Sequence, residues 1–162
     1  MSNIHHQILI HAPVAKVYDA IATADGISTW WDKQTLVHTD RGPVLEHHPG
    51  PEHGVVRLRV VELVPSERVE WECISTHPKS SPASAWTGTR FIFEMSEPGG
   101  HPPSSYSGRN PDRTTTLDFR QTGYDDRSGF SQFNKIAWGQ VLQNLKRVLE
   151  DDGGSERGAA RG

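Results

Sequence analysis

The chain of 162 residues lacks most of the features that assign a protein to a specialised class. Cys73 is its only cysteine, which excludes an internal disulfide or a multi-cysteine zinc site and fits a reducing compartment. No apolar run approaches the ~20 residues that span a bilayer, and the N-terminus has no signal-peptide pattern. The net charge is −3, so no basic field favours nucleic acid or an acidic membrane. We expect a cytoplasmic protein that binds neither nucleic acid nor membranes.

The remaining composition is that of an ordinary globular domain. Hydrophobic residues make up 34% of the chain and charged residues 23%. The length suits a single domain with a sizeable core, which we place at residues 1–152. Residues 153–162, rich in glycine, are predicted to be a disordered tail, and residues 96–113, rich in Pro, Gly and Ser, a mobile loop.

The hydrophobic pattern changes twice along the chain. Residues 4–12 alternate as a strand, and Val14, Val17, Tyr18 and Ile21 then follow at helical spacing. A second short helix is predicted to begin with Asp25 as its N-cap. Residues 34–121 carry strand patterns such as "RVEWECI" and "TRFIFEM". A long one-sided apolar stripe then runs from Phe130 to Leu149, and Gly153 supplies a C-cap.

These elements predict an α+β fold. A curved antiparallel sheet of about six strands would wrap around the long C-terminal helix, with two short helices after the first strand. The apolar stripe of the closing helix must lie on the sheet, because no other predicted element is large enough to cover it. Whether the space between sheet and helix is solid core or a cavity depends on the side chains that line it.

Three segments in this order resemble the START-like (SRPBCC) superfamily. They are "APVAKVYDAIAT" with "DGISTWW" near the start, "VVELVPSERVEWE" in the middle and "AWGQVLQNLKRVLE" near the end. The closer resemblance is to the domain family of the activator of the ninety-kilodalton heat-shock protein's ATPase, over residues 4–151. The resemblance implies the helix-grip fold. It leaves the chemistry open, because members range from lipid and polyketide binders to aromatase/cyclases and co-chaperone parts.

The superfamily's cavity implies a set of ligand-binding candidates. Aromatic side chains that alternate inward would form the apolar wall, and a few polar groups would orient the ligand. The candidates are Trp30, Trp31, Arg57, Arg59, Trp71, Phe91, Phe93, Phe119, Gln121, Asn134 and Trp138. Of the adjacent tryptophans, we expect Trp31 to be core and Trp30 to overhang the pocket mouth.

Neither a metal site nor a catalytic residue is predicted. The histidines of "EHHPGPEHG" flank a Pro-Gly-Pro turn and lack the spacing of known zinc motifs, so a solvated loop is expected there. The chain has no GxSxG motif, and no histidine stands directly beside Cys73, which is expected to be a buried small hydrophobe. Glu70, Glu72 and Glu94 alternate with apolar residues and are expected on the solvent face.

The sequence therefore favours a non-enzymatic monomer or homodimer that binds a small hydrophobic or aromatic molecule without a cofactor. Two alternatives stay open. A cyclase, dehydratase or hydrolase that uses the same cavity would be favoured by two polar or ionisable residues that converge on one point of the pocket wall, with a strongly shifted pKa. A protein-interaction module would need a filled cavity and an exposed apolar patch.

Overall fold

The computed structural model describes residues 2–97, 114–124 and 130–161, and the statements below concern these residues. They form three α-helices, one short 3₁₀ helix and seven strands. In chain order these are β1 (Ser2–Ile10), α1 (Val14–Ala22), α2 (Ala24–Ile27), β2 (Thr35–Thr39), β3 (Gly42–His47), β4 (Val56–Val64), β5 (Arg68–Cys73), the 3₁₀ helix (Pro82–Ala85), β6 (Arg90–Ser96), β7 (Thr115–Tyr124) and α3 (Ser131–Arg161).

The seven strands form one antiparallel sheet in the order β1-β7-β6-β5-β4-β3-β2. Strands β2 to β6 form a meander in which neighbours in sequence are neighbours in space, while β1 pairs with β7 at the far edge. The predicted α+β helix-grip fold is confirmed, and the described sheet has seven strands where about six were expected. None of the helices in the described ranges is both long and apolar enough to cross a membrane.

Helix α3 buries one side between Asn134 and Leu149. Trp138, Leu142, Leu145 and Leu149 recur at helical spacing and are at most 7% exposed. Ile136, on another side of the same helix, is 53% exposed. The predicted apolar stripe is therefore the surface that joins the helix to the rest of the core.

Two predicted helix boundaries are wrong. Helix α2 is capped by Thr23, whose Oγ1 accepts a hydrogen bond from the backbone N–H of Gly26, and Asp25 lies within the first turn instead. Helix α3 continues past Gly153 to Arg161. The division into a domain and a tail stays a prediction. The predicted loop 96–113 lies outside the described residues except for Ser96 and Glu97.

The outer face of the sheet carries ion pairs between neighbouring strands. Glu70 points to this face as predicted, but Arg68 and Arg90 cover it at 2.7 and 2.6 Å, so the residue is 7% exposed. Burial alone would raise the pKa of Glu70, but the hydrogen bonds from Arg90 and Arg68 outweigh it and hold the pKa below its usual value. The charged face is thus largely paired within itself.

Replacing Trp138 by alanine tests the role of the apolar stripe. We expect Trp138→Ala to lower the free energy of unfolding by ~3–5 kcal/mol, because a large buried ring leaves a cavity that cannot collapse fully. Ile136→Ala on the exposed side should change it by about 0.5 kcal/mol or less. Urea denaturation measures both, and equal effects would contradict the assignment of the buried side.

Candidate functional site

Five predicted pocket residues pack against one another in the centre of the molecule. Their exposed fractions are all at most 2%. Antiparallel pairing places the inward side chains of β5, β6 and β7 side by side, and Trp138 of α3 covers them with its ring centroid 4.5 Å from that of Phe119. The structure therefore places these five side chains in the core and not on the wall of an open pocket: Trp71, Phe91, Phe93, Phe119 and Trp138.

The candidate pocket lies at the edge of this aromatic cluster. It has a volume of about 190 Å³ and opens between the β3–β4 connection, the 3₁₀ helix and the first turns of α3. Trp31 and Trp86 supply broad apolar surfaces, with ring centroids 6.0 Å apart. The lining residues are Trp31, Asp32, His47, Pro49, His53, Val56, Ser81, Pro82, Ala83, Trp86, Phe133, Asn134 and Ala137.

A larger groove of about 330 Å³ lies between α1, the turn after α2 and the later part of α3. Its described lining contains no aromatic ring and includes Lys16 and Asp19. Ligand sites combine an apolar wall with a few placed polar groups, and the pocket beside Trp31 has both. We therefore treat that pocket as the candidate site.

The two adjacent tryptophans exchange their predicted places. Trp30 is 2% exposed, and its indole N–H donates a 2.7 Å hydrogen bond to the carbonyl oxygen of Ala20. Trp31 is half-buried and lines the pocket. The reason is that α2 ends at Ile27 and a turn follows, so helical spacing does not position either ring.

The predicted polar residues fall in three different places. Asn134 lines the pocket, is 2% exposed, and its Nδ2 donates to the carbonyl oxygen of Pro82 at 3.3 Å. Gln121 is buried away from the pocket, where its Nε2 donates to Thr89 Oγ1 at 2.9 Å.

The prediction that Arg57 or Arg59 reaches the pocket is wrong. Side chains alternate along a strand, and the inward position between the two arginines belongs to Leu58, which is fully buried. Both arginines therefore point to the outer face of the sheet. There Arg57 pairs with Glu46 at 2.9 Å and Arg59 with Glu72 at 2.8 Å.

The pocket also contains an acid–histidine pair that was not among the predicted site residues. His47, at the end of β3, is 1% exposed and packs on Trp31 with ring centroids 4.5 Å apart. Its Nδ1 lies 3.2 Å from Oε1 of Gln34, and its Nε2 lies 3.9 Å from Oδ2 of Asp32. Gln34 Nε2 donates in turn to the backbone oxygen of Asp32 at 2.8 Å. The expected solvated loop is wrong for His47, which is the last residue of β3 and is buried; no periodic pattern distinguished it from the neighbouring histidines.

Burial shifts the pKa values of this pair in opposite directions. Desolvation, with smaller contributions from His48 and His77, lowers the pKa of His47 to about 4. Desolvation also raises the pKa of Asp32 above its usual value. Both shifts favour uncharged groups, so His47 is a neutral imidazole near pH 7.

A second group of polar contacts includes two lining residues, Ser81 and His53, and continues behind them to Ser75 and His77. Ser81 Oγ is 2.6 Å from Nδ1 of His53, but it also caps the 3₁₀ helix by accepting the N–H of Ala83, and the residue is 1% exposed. Ser75 Oγ lies 2.8 Å from Nε2 of His77 and 3.6 Å from the sulfur of Cys73. These contacts indicate structural hydrogen bonds.

Cys73 is the buried, apolar-like residue that the sequence predicts. It is 1% exposed, and burial raises the pKa of its thiol, so the reactive thiolate is disfavoured.

Across the described ranges, no three His, Cys, Asp or Glu side chains converge as a metal site requires.

The pKa of His47 predicts a specific dependence of stability on pH. The unfolded chain binds a proton at His47 below pH 6.5, whereas the folded protein does so only near pH 4. Folding therefore loses stability as the pH falls through this window, by about 3 kcal/mol between pH 7 and pH 4. His47→Gln should lose about 3 kcal/mol less than the wild type over the same interval in urea denaturation.

The matched control is His38→Gln, which removes an exposed histidine on β2. Its free energy of unfolding should follow the wild-type pH profile. Parallel profiles for the wild type and His47→Gln would contradict the buried, neutral state of His47.

The sequence matches no protein-family model, and it matches no curated protein at a significant level. The fold does have similar solved structures. The solution structure of the Aha1 dimer from Colwellia psychrerythraea is 24% identical, with a TM-score of 0.68 over 93% of this chain and 97% of that one. Protein MLL2253 from Mesorhizobium loti is 17% identical, with a TM-score of 0.68 over 93% and 98%.

CalU16 from Micromonospora echinospora is 14% identical, with a TM-score of 0.62 over 98% of this chain and 84% of that one. Identities this low establish the fold and leave the activity open. The resemblance seen in the sequence is confirmed at the level of the fold: the chain shares the helix-grip fold of these structures.

Proposed function

We propose that the protein binds a small aromatic molecule in the pocket beside Trp31. The observation that carries this proposal is the pocket's shape and chemistry: two indole surfaces, further apolar side chains and a few polar groups around about 190 Å³. An apolar cavity of about 150 Å³ accommodates one benzene ring. The pocket therefore suits a single-ring molecule, or one ring of a larger molecule whose remainder lies at the mouth near Phe133.

Filling the pocket tests this proposal. Ala137 lines the pocket from α3, so Ala137→Leu should occupy the space that a ring would take and keep a residue with good helix propensity. We expect toluene to cause saturable shifts of the Trp31 and Trp86 indole signals in NMR titrations of the wild type. Ala137→Leu should weaken that binding at least about tenfold, because a ring and a leucine side chain cannot share this volume.

Gln140→Leu is the matched control, since it adds the same side chain to an exposed position of the same helix. Its affinity for toluene should stay within about twofold of the wild type. Binding that is absent in the wild type, or unchanged in Ala137→Leu, would refute the assignment of the pocket.

The acid–histidine pair favours an enzyme as the second candidate function. Asp32 and His47 converge on one wall of the pocket, 3.9 Å apart, with pKa values shifted in opposite directions. Converging ionisable residues with a strongly shifted pKa, here that of His47, support the enzyme alternative. Nε2 of neutral His47 has a lone pair that could accept a proton from a bound molecule.

Mass spectrometry of the bound molecule separates binding from catalysis. A ligand recovered unchanged after long incubation supports a binding protein. A product whose formation is lost in Asp32→Asn and kept in the exposed control Asp40→Asn would support the enzyme and displace the binding-only proposal.

The interaction-module alternative has weaker support. Phe133 and Ile136 are 58% and 53% exposed, but Phe133 belongs to the pocket mouth, where an apolar side chain suits ligand entry. The predicted oligomeric state, monomer or homodimer, stays open. The Colwellia protein is described as a dimer, which makes the homodimer the first state to test by light scattering.

A further inference from the structure

The hydrogen bonds around Gln34 determine which nitrogen of His47 carries its proton. A backbone carbonyl oxygen can only accept, so the Gln34 atom that faces the carbonyl of Asp32 must be the amide nitrogen. The other end of the amide is then the oxygen Oε1, which can also only accept. His47 Nδ1, 3.2 Å from that oxygen, must therefore be the donor.

This assignment leaves Nε2 of neutral His47 as an acceptor. Within the described part of the chain, Nε2 makes no hydrogen bond, and Oδ2 of Asp32 is 3.9 Å away. Both residues line the pocket. The edge of the imidazole ring that carries the lone pair therefore lies beside Asp32 in the pocket wall. When a ligand shields this nitrogen from water, the nitrogen needs a partner of the opposite kind, and the kind needed here is a donor.

The charges of the pocket narrow the choice of donor. As far as the described lining residues show, Asp32 is the one carboxylate and there is no lysine or arginine. An anionic ligand would face Asp32 with no cation to balance it. The indole walls select a ring, and the acceptors select a donor on that ring.

We propose that the pocket selects neutral hydroxyaromatic molecules, whose O–H donates a hydrogen bond to Nε2 of His47. The proposal rests on the proposed function and names its ligand class. His47 acts here as a binding residue, and Gln34 is a positioning residue that holds its tautomer.

Three ligands of similar shape test the proposal by calorimetry at pH 7. They are p-cresol, which carries the O–H, 4-methylanisole, which has the oxygen without the hydrogen, and 4-methylbenzoate, which is anionic. We expect p-cresol to bind best and 4-methylbenzoate worst. In His47→Phe, which keeps a planar ring on Trp31, the advantage of p-cresol over 4-methylanisole should shrink by about 3- to 10-fold. His38→Phe, on an exposed part of β2, should leave it unchanged.

A measurement on the wild type keeps the test independent of how His47→Phe folds. Nitrogen NMR of ¹⁵N-histidine-labelled protein should show His47 with a protonated Nδ1 and a bare Nε2. Adding p-cresol should shift the Nε2 signal, and adding 4-methylanisole should shift it much less.

The outcomes separate the two proposals. Equal binding of p-cresol and 4-methylanisole, or a proton on Nε2, overturns the hydroxyl selection while pocket binding stands. Tightest binding by 4-methylbenzoate overturns it as well. Failure of all three ligands and of toluene to bind overturns the proposed function, and the selection with it.

Discussion

The contact between α3 and the aromatic face of the sheet is the interaction on which the rest of the structure depends. Phe119 lies beneath Trp138, and the neighbouring strands add further rings in register. Aromatic rings bury large areas and pack in offset or tilted pairs, so this contact supplies much of the core and sets the height of the helix above the sheet. It also fills the space between the middle of the sheet and the helix with side chains.

Because side chains fill the centre of the molecule, the candidate pocket lies at the N-terminal end of α3. There the connection after β3, the 3₁₀ helix and the first turns of α3 meet around Trp31 and Trp86. Connections of this kind commonly carry binding residues on a rigid scaffold. The pocket takes its apolar surface mainly from Trp31 and Trp86, beside the aromatic cluster. Its polar groups come from the connections, the end of β3 and the start of α3.

Burying His47 at this place requires a partner for its N–H, and Gln34 provides it. Because Nδ1 donates to Gln34, Nε2 of His47 is left to accept a hydrogen bond from a ligand. The hydrogen bond that permits the burial of His47 therefore also determines which kind of group the site can bind. Ser81 and His53 form a shorter contact nearby, but Ser81 is also the cap of the 3₁₀ helix. The pair at the pocket wall that has no such structural role is Asp32 with His47.

Much of the fold could be predicted because period-two and helical patterns report directly on which face is buried. The inward set on β5 to β7 and the stripe of α3 follow from these patterns alone, as does the solvent-side position of Glu70. The predicted positions of Trp30 and Trp31 were the reverse of the observed ones, because α2 ends after one turn and a spacing argument cannot detect this. His47 and Trp86 come from a strand end and a connection, where no pattern indicates whether a side chain faces a pocket.

A crystal structure with p-cresol tests the central claim most directly. We predict one ring in the pocket against Trp31, with its oxygen within hydrogen-bond distance of Nε2 of His47. A ring bound elsewhere, such as in the groove between α1 and the later part of α3, or an oxygen turned away from His47, would contradict the account.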